Sequence, residues 1–489
     1  MTGPREPYVA VSGKHPCAAG LVRAAPPPEA PLPRDKKWIL AVAVLGSTMG
    51  FVDESVVNVA LPDIERSLHT TLAALQWVVN AYTLCMSALL LIGGAAADRF
   101  GRRTPFFLGL CTFTLASLAC GLAAGTPMLI GARVVQGVGA ALLIPCSLAI
   151  IGATFDEDER GAAVGIWSAA SALAAGVGPL IGGLLVDQLS WRAAFFINPL
   201  IAVPTFIIAV QHLPERAAAA SDASLDWPGA ALAFLGLAAL VFGLIASATL
   251  GWRAAAVEGS TMTGVLLLVA LGLREARSRA PMLPLTLFRS RNFRGINLLT
   301  LLLYGALGGA FFLLPFLLIK EHGFSAAAAG AVYLPYALVL AVLSRWSGKW
   351  VDRFGARWPL IIGPLIVAAG FAFLSLIASG GNYWVYLVPM AILGLGMAIA
   401  VTPLTTMVID SVERRETGVA SAINDVSASV AGLLAVAVLG TLARTSVVET
   451  ARVVMMSAAL LAAAGAAVAA LTVYPPLRYH RLTDSPPRS

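Results

Sequence analysis

Four ionisable side chains stand inside long apolar stretches of the sequence, which is an unusual place for charge. They are Asp53, Glu54, Arg133 and Asp425. If these stretches cross a bilayer, each charge costs at least ~2.5–3.5 kcal/mol on insertion scales, so each is expected to have a use. Such groups offer proton exchange by the carboxyls and attraction of cations.

Asp53 and Arg133 are predicted to pair. The apolar stretch that holds Asp53 begins near Trp38, which places this carboxyl roughly 22 Å along a helix. The stretch that holds Arg133 begins on the opposite side near Pro127, which places the guanidinium roughly 9 Å deep in the same half of the bilayer. Burial and a nearby arginine act in opposite directions on a carboxyl's affinity for a proton, so Asp53 can be tuned to exchange one. A purely structural pair that holds two helices together is the alternative.

Glu54 cannot point the same way as Asp53, because adjacent residues of a helix are about 100° apart. One of the two carboxyls is expected to carry the proton, and the other to attract cations in a cavity. Asp425 shares a helix face with Ser421 and Ser429, and this polar face is expected to handle substrate or protons. The alternative for Asp425 is an interhelical hydrogen bond.

The composition places these residues in a membrane protein. The 489 residues are 58% hydrophobic and only 12% charged, with a mean hydropathy of +0.83. A soluble domain carries about 25% charged residues, so the low charge excludes a soluble globular protein. The high hydrophobic content excludes a disordered protein, and five cysteines are too few for a disulfide-rich secreted domain. The five cysteines form no C-x-x-C pair and are interpreted as packing residues. No metal or cofactor is expected.

Fourteen stretches are long and apolar enough to cross a bilayer as helices, since none shows the alternation of a barrel strand. The eighth is the weakest, because it is short and contains Glu258. The predicted spans are 38–61, 72–96, 105–124, 127–153, 161–186, 193–212, 227–248, 256–273, 295–319, 326–347, 358–378, 384–408, 417–443 and 452–474.

Basic residues predict the orientation, because positively charged loops stay on the cytoplasmic side. With the N-terminus inside, the lysines and arginines left outside are only Arg66, Arg192, Arg253, Lys320, Arg444 and Arg452, with Arg133 inside a span. We therefore expect a multi-pass protein of the plasma (inner) membrane with both termini cytoplasmic. Residues 1–37 are predicted to be a flexible cytoplasmic tail, and 475–489 a second cytoplasmic tail.

An internal repeat divides the chain. The segment Gly94–Arg103 is repeated at Gly348–Arg357 with an offset of 254, and Gly137-Val-Gly139 is repeated at Gly394-Leu-Gly396 with an offset of 257. Loops therefore pair with loops, and spans with spans, which indicates a duplication. The predicted domains are an N-terminal six-helix bundle at 38–212, two inserted helices and a cytoplasmic linker at 213–294, and a C-terminal six-helix bundle at 295–474. A site between the two bundles near the membrane midplane would follow.

Six motifs carry a family resemblance when taken in order. They are Asp53–Pro62, Gln76–Tyr82, Gly94–Arg103, Arg133–Gly139, Gly178–Gly183 and Trp191–Pro199. Together they resemble the major facilitator superfamily, and within it the fourteen-span drug:proton antiporters. The resemblance implies an all-α integral membrane fold of two six-helix bundles plus two inserted linker helices, and it favours Asp53 for the role shared by the family. Candidates for lining the cavity are Asn58, Trp77, Tyr82, Gln136 and Ser421.

The repeated loop is predicted to gate the cytoplasmic side. Its charges can latch that side while the carrier faces outward, and topological anchoring is the alternative. The second copy has Ala356 where the first has Arg102, so its latch is expected to be weaker. The residues concerned are Gly94, Asp98, Arg99, Gly101, Arg102 and Arg103 in the first copy, and Gly348, Asp352, Arg353 and Gly355 in the second.

The fifth span is rich in small residues, which favours close helix packing and a bend at its proline. Its residues of interest are Gly165, Gly178, Pro179, Gly182 and Gly183. In the family that the chain resembles, this signature accompanies exporters rather than importers.

The sequence thus predicts a proton-coupled exporter of small amphipathic or cationic compounds such as drugs or antibiotics, and not an enzyme. Its partners would be a small-molecule substrate, protons and the lipid bilayer, without nucleic acid, and it is expected to act as a monomer. A proton symporter for uptake and a narrow-specificity metabolite exporter are the alternatives. A membrane receptor or enzyme on the same scaffold finds no supporting motif.

Overall fold

The computed structural model of the chain describes residues 36–214, 226–278, 281, 283–343, 355–413, 416–443 and 446–473. Within this part, fourteen helices are long and apolar enough to cross a membrane, and the residues described contain no β-strand. The predicted number of spans is confirmed. The predicted tails fall mainly on residues 1–35 and 474–489, which lie outside the described residues, as do Gly348, Asp352 and Arg353.

The helices are numbered in chain order. The first eight are α1 Lys36–Leu68, α2 Leu72–Phe100, α3 Arg103–Gly121, α4 Thr126–Thr154, α5 Glu157–Gln188, α6 Ala193–His212, α7 Trp227–Leu250 and α8 Ala255–Arg277. A short 3₁₀ turn at Leu285–Arg289 leads into the last six. These are α9 Arg291–Phe316, extended by a π turn to Glu321, then α10 Ala326–Leu343, α11 Arg357–Ile377, α12 Tyr383–Asp410, α13 Thr417–Leu442 and α14 Val447–Thr472.

Two ends of the bundle need names. We call the end at which α1 begins the basic side, and the end at which α1 finishes the far side. Odd-numbered helices run from the basic side to the far side, and even-numbered helices return. The eighth span, the weakest of those predicted, is a complete helix in the structure. Glu258 does not interrupt it, because this residue lies in the first turn of α8, at the far side.

The two halves pack alike. In the N-terminal half α1 packs on α5 and α6, and α3 packs on α4 and α6. The matching pairs in the C-terminal half are α9 with α13 and α14, and α11 with α12 and α14. The duplication seen in the sequence is therefore also a duplication of helix contacts.

Glycines show the same repeat at atomic level. Gly101 and Gly355 occupy equivalent positions in the two copies of the repeated loop. Both have a positive φ angle, 78° for Gly101 and 73° for Gly355. A Cβ on Gly137 would collide with the carbonyl oxygen of Tyr82, and a Cβ on Gly394 would collide with that of Tyr336. Only glycine allows these two helix pairs to approach so closely.

The inserted helices α7 and α8 form a hairpin that packs against both halves. α7 contacts α2 and α13, where Leu84, Val241 and Leu433 belong to one buried cluster. α8 contacts mainly α7, and its outer side chains are exposed. The hairpin therefore rests on the line where one half meets the other.

A polar clasp closes the hairpin at the basic side. The Asp226 carboxylate caps α7 by accepting a hydrogen bond from the Gly229 amide at 2.9 Å, and it accepts another from Arg274 of α8 at 2.7 Å. The next residue, Glu275, accepts a hydrogen bond from the Leu283 amide at 2.8 Å. These contacts fix the two helices and the start of the linker to each other.

Candidate functional site

A buried polar network in the N-terminal half is centred on Asp53. This side chain is fully buried, and its carboxylate forms an ion pair with Arg133. It also accepts hydrogen bonds from the Gln136 side-chain amide at 2.7 Å and from the Asn198 side-chain amide at 2.8 Å. The carboxylate thus ties α1 to α4 and α6.

Arg133 is equally well satisfied. Its Nε donates to the Val78 carbonyl at 3.1 Å, and its Nη1 also donates to Gln136 Oε1 at 2.8 Å. The guanidinium carbon lies 4.2 Å from the centre of the Tyr82 ring, a cation–π distance. A buried ion pair offsets its desolvation cost only with further hydrogen bonds, which Val78 and Gln136 supply to Arg133.

Asn198 is a member of this network that sequence reasoning did not select as a site residue. Its amide also donates to Ser117 Oγ at 2.9 Å, and Ser117 donates to the Phe195 carbonyl at 2.8 Å. The available signal was an amide inside an apolar span, directly before Pro199. Ser117 on α3 gave no such signal, because a lone serine in a helix usually bonds its own backbone.

Glu54 lies in the opposite environment from Asp53. Its side chain is exposed, and it makes no hydrogen bond or ion pair with any residue that the structure describes. Because α1 is surrounded by α4, α5 and α6 of its own half and by α9 and α10 of the other, an exposed carboxyl at this depth opens onto the space between the halves.

Asp425 is an exposed carboxyl in the C-terminal half, on the helix that corresponds to α5 in the repeat. It is exposed on α13, and its carboxylate likewise has no partner in the described part of the chain. The neighbouring Asn424 is buried instead and donates to Asn297 at 3.2 Å and to Thr300 at 2.8 Å on α9. The interhelical hydrogen bond considered for Asp425 is therefore made by Asn424, which leaves the acid free.

The cavity candidates occupy different places. Tyr82 and Gln136 are buried in the network around Arg133. Trp77 packs in the cluster formed by α2, α7 and α13, whereas Asn58 is half-buried on α1. Ser421 is buried, and its hydroxyl has no hydrogen-bond partner in the described chain.

The fifth helix packs through small residues on two of its faces. Added Cβ atoms on Gly178 and Gly182 would collide with Ser55 and Val56 of α1. One on Gly183 would collide with the Ala326 carbonyl of α10. A Cβ on Gly330 of α10 would meet the Pro179 carbonyl in return, whereas Gly165 lies half-buried nearer the basic side.

We call the contact between α5 from Gly176 to Asp187 and α10 from Ala326 to Ala337 the far-side seam. At its outer end the Asp187 carboxylate accepts hydrogen bonds from the Ala326 amide at 2.9 Å and the Ala327 amide at 2.8 Å. A carboxylate at the N-terminus of a helix also opposes the positive end of the helix dipole. Asp187 thus caps a helix that belongs to the other half.

Two further contacts join the halves at the far side. Lys320 forms an ion pair with Glu65 at 3.1 Å, and the Gln76 side chain donates to the Val436 carbonyl at 2.5 Å. Toward the basic side, Ile166 and Leu173 of α5 are exposed. In the described residues the halves are therefore closed at the far side.

The first copy of the repeated loop lies at the basic side. Arg99 is exposed with its guanidinium carbon 5.6 Å from the centre of the Phe100 ring, and Arg103 stacks on Phe107 at 5.7 Å. An added Cβ on Gly94 would meet no described atom within 4 Å, and Arg102 lies just before α3. The side chain of Asp98 is not among those that the structure describes.

The acidic turn before α5 contacts the start of α1. Lys36 at the start of α1 forms ion pairs with Asp156 at 3.1 Å and with Glu159 at 2.5 Å. These contacts join α1 and α5 within one half.

No group of three or more metal-binding side chains occurs among the described residues.

Comparisons with known proteins agree with this architecture. The family model described as Major Facilitator Superfamily matches residues 43–436. The tetracenomycin C resistance and export protein of Streptomyces glaucescens is 33% identical over 412 residues, covering 84% of this chain and 76% of the relative. The puromycin resistance protein pur8 of Streptomyces alboniger is 37% identical over 419 residues, covering 84% and 82%.

Solved structures share the fold at low identity. The crystal structure of the POT family transporter PepTSo aligns with a TM-score of 0.67 at 16% identity, covering 91% of this chain and 98% of that one. The human organic anion transporter MFSD10 aligns with a TM-score of 0.60 at 15% identity, covering 89% and 99%. With fourteen membrane helices in two repeated halves, this chain belongs to the Major Facilitator Superfamily of membrane transporters.

Proposed function

We propose that the protein is a proton-coupled exporter of small amphipathic or cationic compounds, such as drugs or antibiotics. The observation that carries this proposal is the placement of Glu54 and Asp425. Two exposed carboxylates, one from each half, have no hydrogen-bond or ion-pair partner among the described residues, and we place both at the space between the halves in this proposal. They supply negative charge where a positively charged substrate would lie, and the relatives named for resistance and export support the direction of transport.

In this proposal Asp53 carries the coupling proton. Its carboxylate is sealed from solvent while the far side is closed, and it is held by Arg133, Gln136 and Asn198. Protonation would remove its charge and weaken its hold on Arg133, which would loosen the contact between α1 and α4. The far-side-open state would release substrate as the acid takes up a proton, and the opposite state would release that proton as substrate displaces it.

We further propose that the basic side is cytoplasmic and that both termini lie there, in the plasma membrane. The far-side seam would then close the outer face, and the loop from Gly94 to Arg103 would latch the inner face when the carrier opens outward. One proton crossing ~150 mV supplies ~3.5 kcal/mol. That energy sustains a roughly 300-fold concentration gradient of a neutral substrate.

The proposal is tested with inside-out vesicles that have an acidic interior, a pH-sensitive dye and a panel of lipophilic cations and neutral drugs. The expected result is proton loss from the lumen when a transported compound is added outside. Asp53→Asn should abolish this signal for every compound. Glu54→Gln and Asp425→Asn should reduce it more for cations than for neutral drugs.

Asp63→Asn is the matched control, because this carboxylate lies on the same helix and pairs with Arg66 at 2.8 Å near the far side. It should transport like the unmodified protein. Movement of protons into the lumen together with the compound would contradict antiport and favour the uptake symporter. Silence with every compound, in well-sealed vesicles that contain the inserted protein, would contradict broad drug export and favour a narrow-specificity carrier.

A further inference from the structure

A groove on the outer surface of the C-terminal half has no place in the transport mechanism. It lies between α11 and α14 near the far side and has a volume of about 410 Å³. It is lined by Leu376, Arg452, Val453, Met456, Ser457 and Leu460. Ser375 completes the wall by donating a hydrogen bond to the Arg452 carbonyl at 3.0 Å, which holds the two helices together at this point.

The side chains along the groove change from charged to apolar with depth. Arg452, Met456 and Leu460 follow one another at intervals of four residues, so they lie in a row on one face of α14. Met456 is 41% exposed and Leu460 66%, and Leu376 on the opposite wall is 73% exposed. The row extends about 12 Å from the arginine toward the middle of the membrane.

Arg452 has a position that calls for an anionic partner. It lies about 7.5 Å inside the far end of α14, counted from Val447. Its side chain is exposed and has no ion pair or hydrogen-bond partner in the described part of the chain. Since the predicted apolar span begins at Arg452, this guanidinium lies where the helix meets the membrane surface, within reach of lipid headgroups.

We propose that this groove binds one anionic glycerophospholipid of the far leaflet. The Arg452 guanidinium donates to the headgroup phosphate, for which its forked geometry is suited. One acyl chain lies along Met456 and Leu460, with Leu376 on its other side. The positive charge of Arg452 complements the negative phosphate. The row of Met456 and Leu460 runs from the membrane surface toward its middle, as an acyl chain does. The site is independent of the proposed function, because it involves neither the cleft nor the proton pathway.

The test uses the purified full-length protein with phosphatidylglycerol, and lipid binding is measured by native mass spectrometry. Arg452→Gln should weaken the affinity for this lipid about tenfold, while Arg452→Lys should weaken it less. Arg253→Gln is the matched control, because Arg253 is an exposed arginine of the same side, in the turn between α7 and α8, and lies outside the groove. It should bind the lipid like the unmodified protein.

A second variant tests the chain-binding part. Leu460→Trp fills the inner groove and should weaken binding of the lipid, whereas soluble glycerophosphoglycerol should compete only poorly with lipid in the unmodified protein. Equal lipid binding by Arg452→Gln and Arg253→Gln would overturn the proposal. So would full competition by glycerophosphoglycerol, because it would indicate a site for a free anion. If Arg452→Gln does not fold, the lysine and tryptophan variants decide by the same readout.

Discussion

Asp53 and Glu54 show how one step along a helix separates two kinds of chemistry. The first is fully buried with three side chains bonded to its carboxylate, and the second is exposed in the space between the halves. The rotation of about 100° between adjacent helical residues is sufficient to produce this division. A buried network member and an exposed charge are therefore adjacent in the sequence.

Removing the Asp53 charge should destabilise the protein far more than removing that of Glu54. Asp53→Asn leaves the Arg133 cation buried without a counter-ion, a change that typically costs about 3–5 kcal/mol. Glu54→Gln breaks no contact, and we expect a change within about 0.5 kcal/mol. Thermal unfolding of the purified variants in detergent measures the difference. The double variant Asp53→Asn with Arg133→Met should regain part of the loss, and equal stability of the two single variants would contradict the network.

Asp226 predicts a dependence of stability on pH at the basic side. Burial favours its neutral form, but hydrogen bonds from Arg274, from the Gly229 amide and from the Glu275 side chain outweigh this effect and hold the pKa of Asp226 below its ordinary value. A lowered folded-state pKa stabilises the fold above the unfolded pKa of about 3.9, and this stabilisation is lost as the pH falls through the folded-state pKa.

The corresponding measurement compares the unmodified protein with Asp226→Asn between pH 7 and pH 3. The difference in melting temperature should be constant down to about pH 5 and should shrink below about pH 4. Asp158→Asn, an exposed carboxylate at the same side, serves as the control and should show little difference at any pH. A difference for Asp226→Asn that persists unchanged at pH 3 would contradict the clasp.

At the scale of the helix, α5 has two packing faces that are interleaved along one short segment. Gly178 and Gly182 fit α1 of the same half, whereas Gly183 and the Pro179 carbonyl meet α10 of the other half. The first face fixes α5 within its bundle, and in the proposed transport cycle the second would separate when the far side opens. The small residues would then serve both a permanent contact and a reversible one.

Asp187 should control how firmly the far side closes. Asp187→Asn keeps the shape of the side chain but replaces a charged acceptor at a helix N-terminus by a neutral one, an effect of about 1 kcal/mol. The far-side-open population should therefore rise about fivefold. Glu65→Gln is the comparison, because its ion pair with Lys320 is partly exposed and should contribute less.

The measurement is the distance between two spin labels across the far side. Labels at Leu189→Cys in the N-terminal half and Gly381→Cys in the C-terminal half occupy exposed positions, in a background without the native cysteines. Longer distances should become more populated in Asp187→Asn than in Glu65→Gln. An unchanged distribution in Asp187→Asn would show that this cap does not hold the far side closed.

At the scale of the whole molecule, the sequence predicts best what depends on composition and spacing. Fourteen spans follow from hydropathy, the two halves follow from the repeat, and the ion pair of Asp53 with Arg133 follows from depth along two helices. A charged residue inside a membrane span has a high free-energy cost. Few arrangements of the helices satisfy such residues, so the sequence restricts the fold strongly.

Contacts that depend on how helices turn toward one another could not be predicted in the same way. Asn198 completes the network around Asp53, and Lys36 pairs with the acidic turn before α5. The inserted α7 packs on α2 and α13. Its sequence is apolar on all sides, so no face of the helix indicates which neighbours it contacts. Rotation about a helix axis decides such contacts, and apolar spans without periodicity leave that rotation undetermined.

The far-side seam also has a consequence for any compound designed to block this carrier. Added Cβ atoms on Gly183 and Gly330 would collide with the backbone carbonyls of Ala326 and Pro179, so a wedge inserted there between α5 and α10 would touch positions that carry no side chain. Escape by mutation would require a residue larger than glycine, and the added atoms would themselves hold the seam apart. An inhibitor bound at these glycines would therefore meet positions that can change only at the expense of closure.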